Sequence, residues 1–144
     1  MKYRRALVSD AAALAAVERT QPQAAGWGEA GFIGELPQAC AVIWCAEENG
    51  QVIGFIAARA AADSAEILNV AVQAGQLRRG IAKALLREVL NDLKEQGVRH
   101  VTLEVAQDNL PACALYKQAG FAMFNTRKDF YGPGRHAWLL GKEL

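Results

Sequence analysis

Asn69-Val70-Ala71-Val72-Gln73-Ala74-Gly75-Gln76-Leu77-Arg78-Arg79-Gly80-Ile81-Ala82-Lys83 is the stretch whose reading decides the fold. It passes from an apolar strand into a basic turn holding Gly80, and from there into a long helix. Ile81, Leu85, Val89 and Leu93 recur every four residues, and Leu86 and Leu90 widen the stripe, as one buried helix face requires. Gly97 stands where a C-terminal capping glycine belongs. A helix start carries unpaired N–H groups and partial positive charge, and a phosphate set there is held by backbone donors. Gly80, without a side chain, lets the backbone come close to such a ligand, and Ala82 is small. Arg78, Arg79, Ile81 and Lys83 complete the candidate loop, with added charge from its three cations. An ordinary strand-to-helix turn with solvated arginines is the other reading. The dinucleotide fingerprint GxGxxG and the Walker pattern GxxxxGK[ST] are both missing.

Outward from this stretch the chain alternates. Tyr3 to Leu7 is a candidate strand, and Ser9 a candidate N-cap for a helix to about Thr20. Gln21 to Gly28 is loop-like, and Glu29 to Leu36 a short helix weakened by Gly31 and Gly34. Three antiparallel strands follow: Ala41 to Glu47, Val52 to Ala60, and Ala65 to Val72. Turns at Asn49-Gly50 and Asp63-Ser64 join them. After the long helix, Val98 to Val105 alternates, with Val101, Leu103 and Val105 on one side and Thr102 and Glu104 on the other. Asn109 caps a helix with Pro111 in its first turn, ended by Gly120. Phe121 to Phe130 and His136 to Leu140 form a last pair of strands. The expected class is α/β (α+β): a mixed, mostly antiparallel sheet with helices on both faces, and parallel strands flanking the long helix.

The 144 residues suit one domain, spanning 1–144, with a substantial core. Charged residues make up 22% and the net charge is +1, so no global attraction to nucleic acid or membrane is expected. Met1 to Arg5 begins like a leader, but Ser9 and Asp10 interrupt before any apolar run. No stretch reaches the length of a membrane span. The expected location is cytoplasmic. Cys40, Cys45 and Cys113, with His100 and His136, have no metal-ligand spacing, so no metal is expected. Cys113 reads as a nucleophile or a small core residue.

Two residues carry possible proton chemistry. Glu104 lies on a strand that a two-sided sheet would partly desolvate, the setting in which a carboxylate works as a base; it also fits an exposed strand end. Tyr116 offers a phenol competent to protonate a thiolate, or a core aromatic packing with Leu115 and Phe121. Trp27 and Tyr131 are candidates to line a substrate groove, or anchors for their loops.

Taken together, these residues resemble the Gcn5-related N-acetyltransferase (GNAT) family over nearly the whole chain. The family's acetyl-CoA loop, Gln/Arg-x-x-Gly-x-Gly/Ala, is matched by Leu77-Arg78-Arg79-Gly80-Ile81-Ala82, with Leu77 replacing the usual first residue and Gln76 one place early. Within the family the likeness is to the RimI-type ribosomal protein alanine N-acetyltransferases. It rests on Leu68-Asn69-Val70-Ala71-Val72, Leu103-Glu104-Val105, Asn109, Ala114-Leu115-Tyr116 with Gly120-Phe121, and Gly26-Trp27-Gly28-Glu29. Arg135-His136-Ala137-Trp138 lacks the acidic residue often found before the last strand. The resemblance implies acetyl-CoA as co-substrate, held by Val70, Ala71 and Val72 at its pantetheine arm and touched by Asn109. It implies Glu104 as proton acceptor, Tyr116 as proton donor, and a ribosomal protein N-terminus as acceptor partner. A monomer or weak dimer is expected. Transfer to a small amine or a lysine, and a non-catalytic acyl-CoA sensor, are the alternative readings.

Overall fold

The computed structural model describes residues 1–144. Its elements are β1 (Lys2–Arg5), α1 (Ala11–Glu18), α2 (Gly28–Glu35), β2 (Ala41–Glu48), β3 (Gln51–Ala61), β4 (Ser64–Val72), α3 (Ile81–Glu95), β5 (His100–Ala106), α4 (Leu110–Gln118), β6 (Ala122–Arg127) and β7 (Ala137–Glu143). The strands make one sheet in the order β1-β2-β3-β4-β5-β7-β6. Five pairings are antiparallel, and β4–β5, which flank α3, are the parallel pair. The expected mixed sheet is therefore the observed one.

Helices cover both faces because the strands are apolar on both. On β2, Val42 and Ala46 pack with Leu85, Leu86 and Val89 of α3, while Ala41, Ile43 and Cys45 pack with Leu14, Val17 and Phe32 of α1 and α2. Tyr116 of α4 belongs to the α3 side. Gly54 on β3 lies directly against α3. A Cβ there would lie 3.2 Å from Ile81 Cγ2 and 3.4 Å from Leu85 Cδ1.

Turn chemistry follows the sequence in most places. Asn49 and Gly50 both take positive φ, 52° and 78°, as a type I′ hairpin turn needs. Gly97 (φ 91°) ends α3, and the Val98 N–H donates to the Leu93 carbonyl at 3.0 Å. Asn109 caps α4 by accepting from the Ala112 N–H at 3.4 Å. Three expectations are corrected. Ser9 caps nothing: the Asp10 carboxylate accepts from the Leu7 N–H at 2.6 Å and pairs with Arg4 at 2.8 Å, and α1 starts only at Ala11. The turn after β3 is centred on Ala62 and Asp63, with Ala62 at φ 55°. β6 stops at Arg127 because Asp129 (φ 56°) turns the chain, donating its N–H to His136 Nδ1 and accepting from the Gly134 N–H.

The feature that shapes the site is a bulge. Ile67 pairs with Ala58 and Asn69 with Ala57, so Leu68 has no opposite residue on β3. The extra residue reverses which face each side chain takes. Ala65 and Ile67 face α3 before it; Val70 and Val72 face α3 after it. Asn69 and Ala71 are turned to the α1 side. The parallel ladder with β5 ends at the same point, its last pair being Ile67–Leu103.

Candidate active site

Beyond Leu68, β4 and β5 part company. β5 continues through Glu104 to Ala106, paired with β7, whereas Asn69 to Val72 stay paired with β3 alone. The Gln73 N–H donates to the Ile53 carbonyl. Antiparallel alternation then directs the backbone of Ala71 to β3, and that of Val70 and Val72 to the side β5 has left. Of the three residues expected along a pantetheine arm, Val70 and Val72 offer backbone groups to this gap and Ala71 does not. The Val72 carbonyl accepts from Gln21 Nε2 at 2.8 Å.

At the end of β4 the chain turns into α3. Arg78 and Gly80 both lie in the left-handed region, at φ 64° and 77°. Ala84 is the first residue to bond back, its N–H donating to the Gly80 carbonyl at 3.0 Å, and no side chain caps this end. The N–H groups of Ile81, Ala82 and Lys83 thus precede any intrahelical acceptor. Nothing lies within 4 Å of the position a Gly80 Cβ would take, so the space beside Gly80 is open. The cations are not equivalent. Arg79 is turned aside: its guanidinium donates to both oxygens of Glu48, at 3.0 and 2.6 Å, and to Gln76 Oε1 at 2.6 Å. Arg78 and Lys83 have no carboxylate within ion-pairing distance.

Glu104 is half-buried on β5, and its carboxylate lies 3.2 Å from the Arg127 guanidinium of β6. Arg127 also covers the Phe130 ring at 5.4 Å. Burial pushes the Tyr131 phenol up, and the nearby Glu104 charge adds to the shift. Arg135 lies over the Tyr131 ring at 5.8 Å and forks onto Asp108 at 2.6 and 3.1 Å. Tyr131 is thus on the same rim as Glu104. Neither Arg127 nor Asp108 was legible from sequence; an arginine on an edge strand gives no sign of where the chain folds it.

Tyr116 combines both of its sequence readings. Its ring is buried in the α3-side core and meets Phe121 edge-on at 5.7 Å. Its hydroxyl makes no hydrogen bond to protein, yet no partnerless side-chain polar atom is sealed from solvent, so the oxygen opens to accessible space. Burial, and to a lesser degree the Cys113 thiol, push its pKa to about 12. It is a phenol that keeps its proton at neutral pH. Cys113 donates to the Ala106 carbonyl at 3.6 Å, and burial pushes its thiol up, the opposite of an activated nucleophile. Asn109 spends its side-chain oxygen on the α4 cap.

Trp27 packs its ring on Phe32 at 5.3 Å. Its Cβ lies 2.8 Å from where a Gly31 Cβ would be. The loop reaching it rests on a buried pair that sequence reading overlooked. Glu18 and Asn69, each 4% exposed, are joined by an Asn69 Nδ2 to Glu18 Oε2 bond of 2.7 Å. Glu18 also accepts from the N–H groups of Trp27 and Gly28, at 2.8 and 2.9 Å. Desolvation works to raise its pKa, but these hydrogen bonds together outweigh that and hold the carboxyl below its ordinary value. A sequence signal existed: Glu18 is four residues past Leu14 and seven past Ala11, on the buried stripe of α1.

No cluster of metal-ligating side chains is present, and no helix is long and apolar enough to cross a membrane.

Comparison with known proteins identifies the family and the fold. The sequence is 33% identical over 84 residues to the [ribosomal protein bS18]-alanine N-acetyltransferase of Escherichia coli K12, covering 58% of this chain. The match spans 57% of that relative's length. An N-alpha-acetyltransferase of Sulfurisphaera tokodaii is 29% identical over 126 residues, 78% of this chain and 75% of its own. The crystal structure of the ribosomal-protein-S18-alanine N-acetyltransferase from Escherichia coli superposes with a TM-score of 0.87 at 24% identity, over 99% of this chain and 92% of that one. Residues 11–121 match the family described as Acetyltransferase (GNAT) family, and the chain belongs to that family.

Proposed function

We propose that this chain transfers the acetyl group of acetyl-CoA to the N-terminal α-amine of a protein, with alanine first and a ribosomal protein as acceptor. One observation carries the reading: β4 leaves β5 after Ile67, between an uncapped helix N-terminus and a carboxylate on β5. A long ligand with a diphosphate at one end and a thioester at the other suits that arrangement. Acetyl-CoA supplies the activated acyl group. The N–H groups of Ile81 to Lys83 hold its diphosphate, and Arg78 and Lys83 add positive charge. The Val70 and Val72 backbones pair with the pantetheine amides and polarise the thioester carbonyl.

Glu104, directly or through water, takes a proton from the acceptor amine as its nitrogen bonds to the carbonyl carbon. The C–S bond breaks, and Tyr116 gives its proton to the departing sulphur. Arg127 keeps the Glu104 carboxylate in place. Trp27 and Tyr131 border the acceptor path. The size of the task favours an α-amine. At about pH 7.4, freeing the base costs under about 1 kcal/mol for an α-amine and about 4 for a lysine. A single carboxylate matches the easier case. A cytoplasmic location and a protein acceptor, with neither nucleic acid nor membrane as partner, complete the proposal, and a net charge of +1 supports it.

The test is coenzyme A release from acetyl-CoA across a panel of acceptors: peptides starting with alanine, serine or methionine, lysine peptides, polyamines and aminoglycosides. Mass spectrometry locates the added acetyl group. Acetylation at the α-nitrogen of the alanine peptide is the expected result. Transfer only to lysine or small amines would replace the acceptor assignment. Tight acetyl-CoA binding with no transfer to any acceptor would make the chain a sensor.

A further inference from the structure

The loop between α1 and α2 is fastened to the strand that faces the gap. The Asn69 amide donates to Glu18, and its oxygen accepts from the Ala25 N–H at 3.1 Å. Glu18 in turn holds the N–H groups of Trp27 and Gly28, the N-cap and first residue of α2. Two further bonds extend the seam: Gln21 to the Val72 carbonyl at 2.8 Å, and the Ala74 N–H to Thr20 Oγ1 at 3.1 Å. Apart from the two Glu18 bonds to Trp27 and Gly28, every link runs from residues 18–28 to residues 69–74. Asn69 reaches Glu18 only because the Leu68 bulge turns it to the α1 face. Burying an ionised carboxylate is costly unless its hydrogen bonds are all made. A Glu–Asn pair is a demanding way to fill space in a cluster otherwise built of Leu14, Val17, Phe32 and Phe55. Such a pair fixes geometry, because its bonds are directional and their loss is severe.

We infer that Glu18 and Asn69 are positioning residues for the acceptor: they lock the Ala24–Gly28 loop, with Trp27, at a set distance from Val70 and Val72. This rests on the reading that the gap beside β4 holds the acyl group. It does not depend on which amine is acetylated. The pair touches neither reactant. It acts through Trp27 and the first turn of α2 on one side, and through the neighbouring Val70 on the other.

Glu18→Gln replaces one acceptor by a donor while nearly preserving volume. The purified full chain is measured with the best acceptor from the panel and with acetyl-CoA. The expected result is a rise of about tenfold or more in the acceptor KM, the scale of one lost charged hydrogen bond. The acetyl-CoA Kd should stay within about twofold, and amide exchange at Trp27 and Gly28 should quicken while Ala71 stays protected. Asn69→Ala should behave alike, and it decides the matter if Glu18→Gln does not fold. In Gly31→Ala the added methyl presses on Trp27 while the Glu18–Asn69 bonds remain; it should raise the acceptor KM without quickening exchange at Gly28. An unchanged acceptor KM, or a loss confined to acetyl-CoA affinity, overturns the positioning role and leaves the α-amine proposal standing. A fall in Tm with both constants unchanged assigns the pair to stability alone and also overturns it. If the wild-type chain acetylates a different amine, the acceptor assignment fails, and the same comparison run with that amine still tests the pair.

Discussion

At the residue scale, Glu104 and Tyr116 show how little residue type says without surroundings. Glutamate on a strand is ordinary; here it is half-buried and faces Arg127 at 3.2 Å. Glu104→Gln removes the proposed proton acceptor and leaves the gap intact. Turnover should fall about 10²–10⁴-fold, the usual weight of a positioned general base, with the acetyl-CoA Kd unchanged. Calorimetric binding and initial rates check both halves. Tyr116→Phe should lower kcat in rate assays with little change in either KM, because in the proposed reaction its proton is needed only as the C–S bond breaks. The same residue predicts an alkaline signature. Its folded-state pKa is raised to about 12, against about 10 unfolded, so the folded chain holds the proton longer. Its contribution to stability is complete below about pH 10 and disappears as pH rises towards 12. Denaturant titrations should show a loss of about 2–3 kcal/mol across that window, absent in Tyr116→Phe.

At the element scale, the start of α3 and the bulge in β4 do most to define the site. Gly80 adopts φ 77° with open space around it. Gly80→Ala puts a side chain in the left-handed region, at about 1–2 kcal/mol, and should weaken acetyl-CoA binding only modestly. Gly80→Glu adds bulk and negative charge at the proposed diphosphate site and should abolish detectable binding. Equal affinity of Gly80→Glu and wild type in calorimetry would remove the loop from the site. The helix itself was legible because Ile81, Leu85, Val89 and Leu93 repeat at its period. The Leu68 bulge was not. Ala65 to Val72 reads as a continuous strand, and nothing local distinguishes the residue that β3 leaves unpaired. The Ser9 cap fails for a related reason: Ser9 has the right chemistry, but α1 starts only after Asp10, whose carboxylate is spent on Arg4 and on the Leu7 N–H.

At the scale of the whole molecule, the site depends on how closely α3 lies on the sheet. Gly54→Val would press on Ile81 and Leu85 and push the first turn of α3 outward. Overpacking of this kind costs about 1–3 kcal/mol. Thermal unfolding should show a lower Tm, and calorimetry a weaker acetyl-CoA affinity, because Ile81 carries one of the helix-end N–H groups. A lowered Tm with wild-type affinity would mean that the helix start is positioned by the loop alone. What the sequence determined by itself was everything set by neighbours along the chain: the period of α3, the hairpin turn at Asn49-Gly50, the Asn109 cap, and a glycine at a helix start. Local propensity and backbone sterics act over a few residues and leave their mark in order and spacing. Only tertiary structure decided that Arg79 is held by Glu48, that Arg127 faces Glu104, and that Glu18 meets Asn69 across 51 positions of chain. Those pairings arise from burial and register in three dimensions, and a linear pattern carries no record of which distant groups the folded chain desolvates together.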